Sequence, residues 1–465
     1  MRKFELIIMI LFISSGLYVA CNSKQIKDKT SSKASRNNNI TLITLDPGHF
    51  HAALVQKIMC ESINPIVYVY APQSDDLKSH LKIIEGYNVR ENNPTLWNEV
   101  IYTGSDYLER MLTDKPGNLV IISGNNQIKT DYIKKSVNAG LNVLSDKPMV
   151  ITPEKFAELE EIFKMAKEKG ALLYDIMPER YEINTMLQKE LSLDQEIFGT
   201  LQDGSPEEPA TEQISIHHFY KDVSGNALVR PAWFFDVKQQ GEGIVDVTTH
   251  LVDLVQWCCF QNQIINKSDI KIIAARRWPT VMNINEFSVV TKLDKFPEFL
   301  SESVINDKLN VFSNGEIIYK IKNKVAKVSV EWKFKASETP GDTHYSVMRG
   351  TSCMLEIRQG KEEGFDPVLY ITANEGTDIK VFEKKLKNGI LKLPQKNIEI
   401  QKIKNNVWKT TVPKELIIDH EDRFAIVVKK YLEYLKNGNI PKWEIAAMIS
   451  KYYTTTSALQ MATEN

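Results

Sequence analysis

From Ile40 onward, short apolar runs alternate with longer stretches whose apolar residues recur every three or four positions. The runs are NITLITLD, PIVYVYAP, NEVIYTG, NLVIISG, LNVLSDKP and ALLYDIMP. Runs of this length without internal polar alternation are strands buried on both faces. The amphipathic stretches between them, PGHFHAALVQKIM, SDYLERML, TDYIKKSVNAG and PEKFAELEEIFKMAKEKG, read as helices, and Gly140 and Gly170 stand where helix C-caps are expected. Strand, helix, strand repeated over such short spacings predicts a doubly wound parallel sheet, the Rossmann-like part of an α/β protein, over residues 40–178.

The pattern changes after residue 178. Residues 179–240 read as irregular, and from about residue 270 to 412 strand signals dominate. KVSVEWKFKA alternates Val328, Val330, Trp332 and Phe334 with Ser329, Glu331, Lys333 and Lys335, as a sheet with one buried face requires. EIIYKIK, SCMLEIRQ, LYITAN and IKVFEKK read the same way, and two amphipathic helices close the chain. The second domain, 179–465, is therefore expected to be α+β with a large, mostly antiparallel sheet, whose outer face is available as a homo-oligomer interface.

One segment between these halves places ionisable groups on an otherwise apolar helix. In GEGIVDVTTHLVDLVQW, residues 241–257, Val247, Leu251 and Leu254 form one stripe, continued by Cys258, while Asp246, His250, Asp253 and Trp257 form another. Asp246 and His250 are four apart, so the carboxylate is expected to fix the imidazole tautomer and raise its basicity, as general acid–base chemistry uses. A structural pair in a buried helix is the plain alternative.

Ligands of doubly wound sheets bind at the carboxyl ends of the strands. The tips here are Asp46-Pro47-Gly48-His49-Phe50-His51, Ala71-Pro72-Gln73-Ser74, Gly124-Asn125-Asn126 and Asp146-Lys147-Pro148. A strand ending in Gly-Asn-Asn, a helix, AGLNVL and then Asp-Lys-Pro resembles the glucose-fructose oxidoreductase and inositol dehydrogenase (Gfo/Idh/MocA) family, whose corresponding tip reads Glu-Lys-Pro. That family's second domain carries a glycine-rich turn, an Asp and a His four residues on, matched by Gly241, Gly243, Asp246 and His250.

The resemblance implies an oxidoreductase using NAD or NADP on a sugar or polyol hydroxyl. Lys147, Asp246 and His250 would be catalytic, with His250 taking the hydroxyl proton. Gly48, His49, Phe50, His51, Ser74, Gly124, Asn125, Asn126 and Lys147 would hold the cofactor. In the stretch HHFYKDVSGNALVRPAWFF, His217, His218, Tyr220, Arg230 and Trp233 offer the hydrogen bonders and aromatic faces of a sugar pocket, joined by Arg180 and Asp253. The glycine loop departs from the family pattern: where G-x-G-x-x-G is usual, the register gives Asp46, Gly48 and His51. The acid expected after the second strand is absent, with Asp75 and Asp76 close by.

Two other readings use the same residues. His49 and His51 with Asp246 and His250 could ligate a metal in a hydrolase or lyase, and a saccharide-binding lipoprotein could keep the fold without the chemistry. Composition narrows the partners: with 58 basic and 59 acidic residues, no global field draws nucleic acid. The five cysteines show no C-x-x-C spacing and read as free thiols, apart from Cys21.

Arg2 and Lys3 precede the apolar run LIIMILFISSGLYVA, which ends at Ala20-Cys21. This reads as a secretory signal, residues 1–20, and the junction resembles a bacterial lipobox despite Tyr18. Residues 21–39 read as a lipidated Cys and a flexible polar tether, placing the protein in the bacterial cell envelope, held to a membrane by lipid alone. Without a twin arginine, such a chain crosses unfolded and meets its dinucleotide where no replenished pool can be assumed. A retained cofactor and a reaction that is redox-neutral overall follow as expectations. Cys21→Ala is expected to abolish lipidation and leave the precursor unprocessed, read by mass spectrometry of the N-terminus.

Overall fold

The computed structural model describes residues 40–223, 226–336 and 341–464, so the expected signal and tether lie outside the described residues. The first sheet contains β1 (Leu42–Leu45), β2 (Ile66–Tyr70), β3 (Asn98–Tyr102), β4 (Leu119–Ile122), β5 (Asn142–Ser145) and β6 (Leu173–Asp175). All pairs are parallel and the order is β3-β2-β1-β4-β5-β6, as a doubly wound sheet requires. Every residue of β1 and β4 is buried, which is why both read as unbroken apolar runs.

The helices of this half are α1 (His51–Leu54), α2 (Asp75–Val89), α3 (Tyr107–Asp114), α4 (Asn126–Asn138) and α5 (Pro153–Lys169). Two differ from expectation. The helix expected over PGHFHAALVQKIM is a single turn: after it Gln56 and Lys57 N–H donate three residues back, to Ala53 and Leu54, and their carbonyls accept from the side chains of Trp97 (2.6 Å) and Arg90 (2.5 Å). Conversely α2 carried no clear sequence signal, since it buries little more than Leu77, His80 and Ile84; Ser74 caps it by accepting from Leu77 N–H.

The second half begins with α6 (Ile183–Leu193) and β7 (Thr211–His218), so the span read as irregular contains a helix and a central strand. Next come the short pair β8 (Asp222–Val223) and β9 (Asn226–Ala227), then α7 (Val237–Gln240), α8 (Thr248–Cys259), β10 (Ile270–Met282), α9 (Ile284–Thr291) and β11 (Val304–Ile305). β12 (Lys308–Ile321), β13 (Lys324–Lys333), β14 (Thr343–Arg349), β15 (Cys353–Arg358) and β16 (Val368–Ala373) follow. The chain ends with α10 (Ile379–Lys392), β17 (Glu399–Lys404), β18 (Val407–Thr411), α11 (His420–Asn437) and α12 (Lys442–Glu464). IKVFEKK, expected as a strand, is the start of α10; Asp378 caps it, and Phe382, Leu386 and Ile390 give it one buried helical face.

The ten-stranded second sheet runs β10-β12-β13-β7-β14-β15-β16-β18-β17, with β11 on β12, and is antiparallel apart from the β13–β7 pair. Helices cover one of its faces: Ile183, Leu187 and Leu386 pack with Leu355 and Ile371, while Leu251, Val255 and Ala458 pack with Ile317 and Val328. The terminal helices, counted by sequence with the second domain, return to the first: Phe424, Val427, Tyr431 and Tyr452 share a core with Leu173, Tyr174 and Ile176. No helix among the described residues is long and apolar enough to cross a membrane. Cys60, Cys258, Cys259 and Cys353 are free thiols, as expected.

A buried ionic network joins these layers. The Arg180 guanidinium donates to both oxygens of Asp253 at 2.6 Å and to Glu444 at 2.9 Å, and Lys451 meets Asp175 at 2.7 Å and Asp253 at 2.9 Å. Tyr174 and Tyr434 donate to Glu444, and Tyr452 donates to Asp175. Arg180 and Asp253, expected to touch substrate, are 2% and 1% exposed and spend their hydrogen-bonding capacity inside this network, so that assignment is corrected. Removing one partner leaves the others as uncompensated buried charges. Arg180→Leu is expected to cost about 3–5 kcal/mol of stability, read as a lowered midpoint in urea unfolding.

Candidate active site

The tips of β1, β4 and β5 converge on one carboxylate. Asp146, directly after β5, accepts from His49 Nδ1 (3.0 Å), His51 Nδ1 (3.1 Å), Ser123 Oγ (3.0 Å) and Lys147 N–H (2.8 Å). Burial opposes its ionisation, but the two imidazoles beside it hold the carboxyl well below the ordinary range. Beneath this turn the buried Lys129 ammonium donates to the carbonyls of Asp146 (3.2 Å) and Lys147 (3.4 Å), and burial lowers its pKa to about 8. The Lys147–Pro148 peptide is cis.

Lys147 leaves this turn toward the second half of the chain and donates to Asp246 Oδ1 at 2.6 Å. Gln240 donates to the other oxygen at 3.0 Å. Burial works against the Asp246 charge, yet the Lys147 ammonium keeps the carboxyl below its usual range. This corrects the expected Asp246–His250 pairing. Asp246 lies in the turn before α8, its carboxylate is engaged by Lys147 and Gln240, and the buried His250 Nδ1 has no hydrogen-bond partner. Burial, then the Lys147 charge, lowers the His250 pKa to about 3, so the imidazole is neutral at physiological pH.

Four further groups surround His250 or the Asp146 turn and carried no sequence signal. Glu179 pairs with Arg423 at 2.7 Å and lies 3.9 Å from His420; His250 and His344 act on it electrostatically. His420 stacks on His51 with ring centroids 5.1 Å apart. They come from a 3₁₀ turn, β14 and the start of α11, separated by up to 244 residues. Only the return of the terminal helices brings them together.

Most of the expected sugar-contact residues form a second group near the end of β7. His217 Nδ1 meets Asp342 at 2.8 Å, its Nε2 lies 2.7 Å from Ser215 Oγ, and its ring stacks on Trp332. The buried His218 is 3.5 Å from the same Asp342. Arg230 donates to the carbonyls of Phe219 and His218 and lies over the Phe234 ring at 4.6 Å. Tyr220 packs instead against Phe334 and Lys335. Trp233 reaches across to the first turn of α2 and donates to Asp76 at 3.0 Å. Asn125 and Asn126 clamp the same segment by donating to Gln239 Oε1 and the Gln240 carbonyl.

Comparison with known proteins follows this geometry. Residues 40–175 match the family described as "Oxidoreductase family, NAD-binding Rossmann fold", and residues 187–463 match "Putative oxidoreductase C terminal domain". A crystal structure of a "putative oxidoreductase" from Parabacteroides merdae is 51% identical, covers 92% of this chain and 98% of that one, and superposes with a TM-score of 0.90. The chain belongs to the Gfo/Idh/MocA oxidoreductase family. It is an NAD(P)-dependent oxidoreductase by that membership. An uncharacterised oxidoreductase of Schizosaccharomyces pombe is 27% identical over 147 residues; the match spans 31% of this chain and about a third, 35%, of that relative's length. Levoglucosan dehydrogenase in complex with NADH and levoglucosan shares the fold at 11% identity, covering 92% of this chain and 97% of that one, with a TM-score of 0.56.

The Gfo/Idh/MocA dinucleotide fits the residues present, with one local change. Gly48 and Gly124 keep the floor bare: a Cβ on Gly48 would lie 3.3 Å from the Gly124 Cα and 3.4 Å from Trp233. Asp76, in the first turn of α2, accepts from Trp233 beside this floor, which the Asn125-Asn126 turn also borders. The change lies in the β1 turn, where Gly48 and His49 N–H both donate to the Ser123 carbonyl, and Asp46 bonds Tyr132. Phe50 is 45% exposed beside it.

Neutral imidazoles dominate this family member's cleft. Burial, the largest cause in each case, lowers His51, His344 and His420 to about 4 and His250 to about 3. Unfolding restores their ordinary values near 6.5, so the unfolded chain binds more protons below that pH and stability falls as pH is lowered. The urea midpoint is expected to hold above pH 7 and drop progressively from about 6.5 towards 4, with net proton uptake on unfolding.

Proposed function

We propose that this enzyme oxidises a hydroxyl-bearing carbon of a saccharide or polyol in the cleft where the first sheet meets the turn before α8. The observation that carries the reading is the 2.6 Å contact between Lys147 and Asp246, with a neutral His250 one turn further along whose Nδ1 is unpartnered. His250 takes the hydroxyl proton, because an imidazole uncharged at neutral pH has a lone pair to offer. Lys147 has three N–H donors and Asp246 occupies one, so the ammonium can also donate to the reacting oxygen and stabilise charge developing there. Asp246 holds Lys147 in place, while Glu179, Asp253 and Asp246 favour the imidazolium that His250 becomes. A bound nicotinamide supplies the hydride acceptor.

The saccharide class rests on the polar and aromatic group of His217, Arg230 and Trp332, and on levoglucosan dehydrogenase as a fold neighbour. Export as an envelope lipoprotein is part of the same reading. It motivates a cofactor held through the cycle, with oxidation of a ring hydroxyl reversed later in the reaction so that no reduced nucleotide is released.

Testing starts from the enzyme as purified. Denaturation is expected to release close to one nucleotide per chain, and turnover on the true saccharide is expected without added NAD(P). Lys147→Ala, His250→Asn and Asp246→Asn are each expected to lower kcat by about 10²- to 10⁴-fold, His250→Asn at near-normal stability. Near-normal turnover in His250→Asn would overturn the assignment; accumulation of NADH in step with product would remove the closed cycle alone.

A further inference from the structure

The β1 turn that departs from the family's glycine pattern carries a histidine pair with no role in the chemistry above. His49 and His51 lie on the same side of the turn, ring centroids 4.2 Å apart, and both Nδ1 atoms converge on Asp146 Oδ2. One possible ligand atom from each of His49, His51 and Asp146 lies within 4.8 Å of the other two. The expected metal cluster joined these histidines to Asp246 and His250; among the described residues their carboxylate is Asp146 instead, since Asp246 is taken by Lys147.

We propose that His49, His51 and Asp146 form a binding site for a late first-row divalent cation, with zinc the best match. Two imidazole nitrogens and one carboxylate are a three-ligand zinc set that leaves a further coordination position open. Bonds of about 2.0–2.1 Å in a tetrahedron separate ligand atoms by about 3.3 Å. Here the nitrogen-to-oxygen separations are 3.0 and 3.1 Å, a few tenths of an ångström short of that spacing.

The surroundings support the same assignment. Asp146 Oδ2 lies within hydrogen-bond reach of His49 Nδ1, His51 Nδ1 and Ser123 Oγ, and His51 Nδ1 is equally close to Oδ1, so the carboxylate already faces both imidazoles. Shifting each imidazole to its Nε2–H tautomer frees both Nδ1 lone pairs without changing net charge. Outer contacts already hold the ligands: the Lys147 N–H and Ser123 Oγ orient the carboxylate, and His420 and Phe424 flank the His51 ring. His51 and Asp146 are buried, whereas His49 is about one-third exposed, so the ligand set has an accessible side. A dication there would add positive charge to a turn whose Gly48 and His49 amides are committed to the Ser123 carbonyl.

Untagged full-length mature protein, dialysed against chelator and titrated with Zn²⁺ in a calorimeter, is the test. One zinc per chain is expected, weakened about 100-fold or more in His51→Ala and at least about tenfold in His49→Ala. His80→Ala, a buried histidine outside the cluster, is expected to bind as the parent does. Because His51→Ala changes a buried site, the half-buried His49→Ala, with unchanged metal-free unfolding, carries the decision. Absence of stoichiometric zinc, or zinc binding indifferent to His49→Ala and His51→Ala, would overturn the site and leave the Lys147 and His250 chemistry untouched.

Discussion

The Arg180 guanidinium sits where four pieces of the chain meet: the turn after β6, the middle of α8, and the helices α11 and α12. Its bonds to Asp253 and Glu444, with Lys451 bridging Asp253 and Asp175, set the position of α8 against the first sheet. Charges this deeply buried tolerate little displacement, because any gap leaves an ion without solvent or partner. Asp253 and His250 are on one helix, so the network that anchors Asp253 also sets where His250 stands relative to Lys147. The geometry proposed for catalysis therefore depends on a buried ion cluster.

A second carboxylate, Asp146, performs a comparable task on the other side of the cleft. It gathers the tips of β1, β4 and β5 and shapes the turn from which Lys147 departs, while Lys129 holds the carbonyls of that turn from below. Lys147 is thus presented by a rigid turn, and Asp246 meets it from the facing domain. Pre-placing donors where charge develops is an effective use of binding geometry in catalysis. The neutrality of His250 belongs to the same arrangement: burial and the adjacent ammonium both disfavour its protonated form, as the base role proposed for it requires.

Much of the architecture was legible because burial leaves a periodic trace. Strands covered on both faces appear as unbroken apolar runs, and the alternation in KVSVEWKFKA records a sheet with one buried side. Helix α2 escaped because it buries few residues. IKVFEKK misled because seven residues are too few to separate the two periods. Residues 179–240 hid β7, whose polar Gln213, Ser215 and His217 occupy inward positions that a pattern of apolar alternation does not recognise.

For the site, the sequence by itself determined that Lys147 follows a strand tip, that Asp246 and His250 flank a helix start, and that Asp46 and His51 stand at glycine positions of the loop, with His49 between them. These are local facts, set by neighbours within a few residues. Which carboxylate serves which partner was decided only by tertiary structure: Asp246 went to Lys147, Asp146 to the histidine pair, and Asp253 to Arg180. Each pairing joins segments 70 to 100 residues apart, and the choice follows from which charges the packed layers force out of water together. Glu179, His344, His420 and Arg423 entered the site for the same reason, through the return of the terminal helices to the first sheet, a contact that no local pattern encodes.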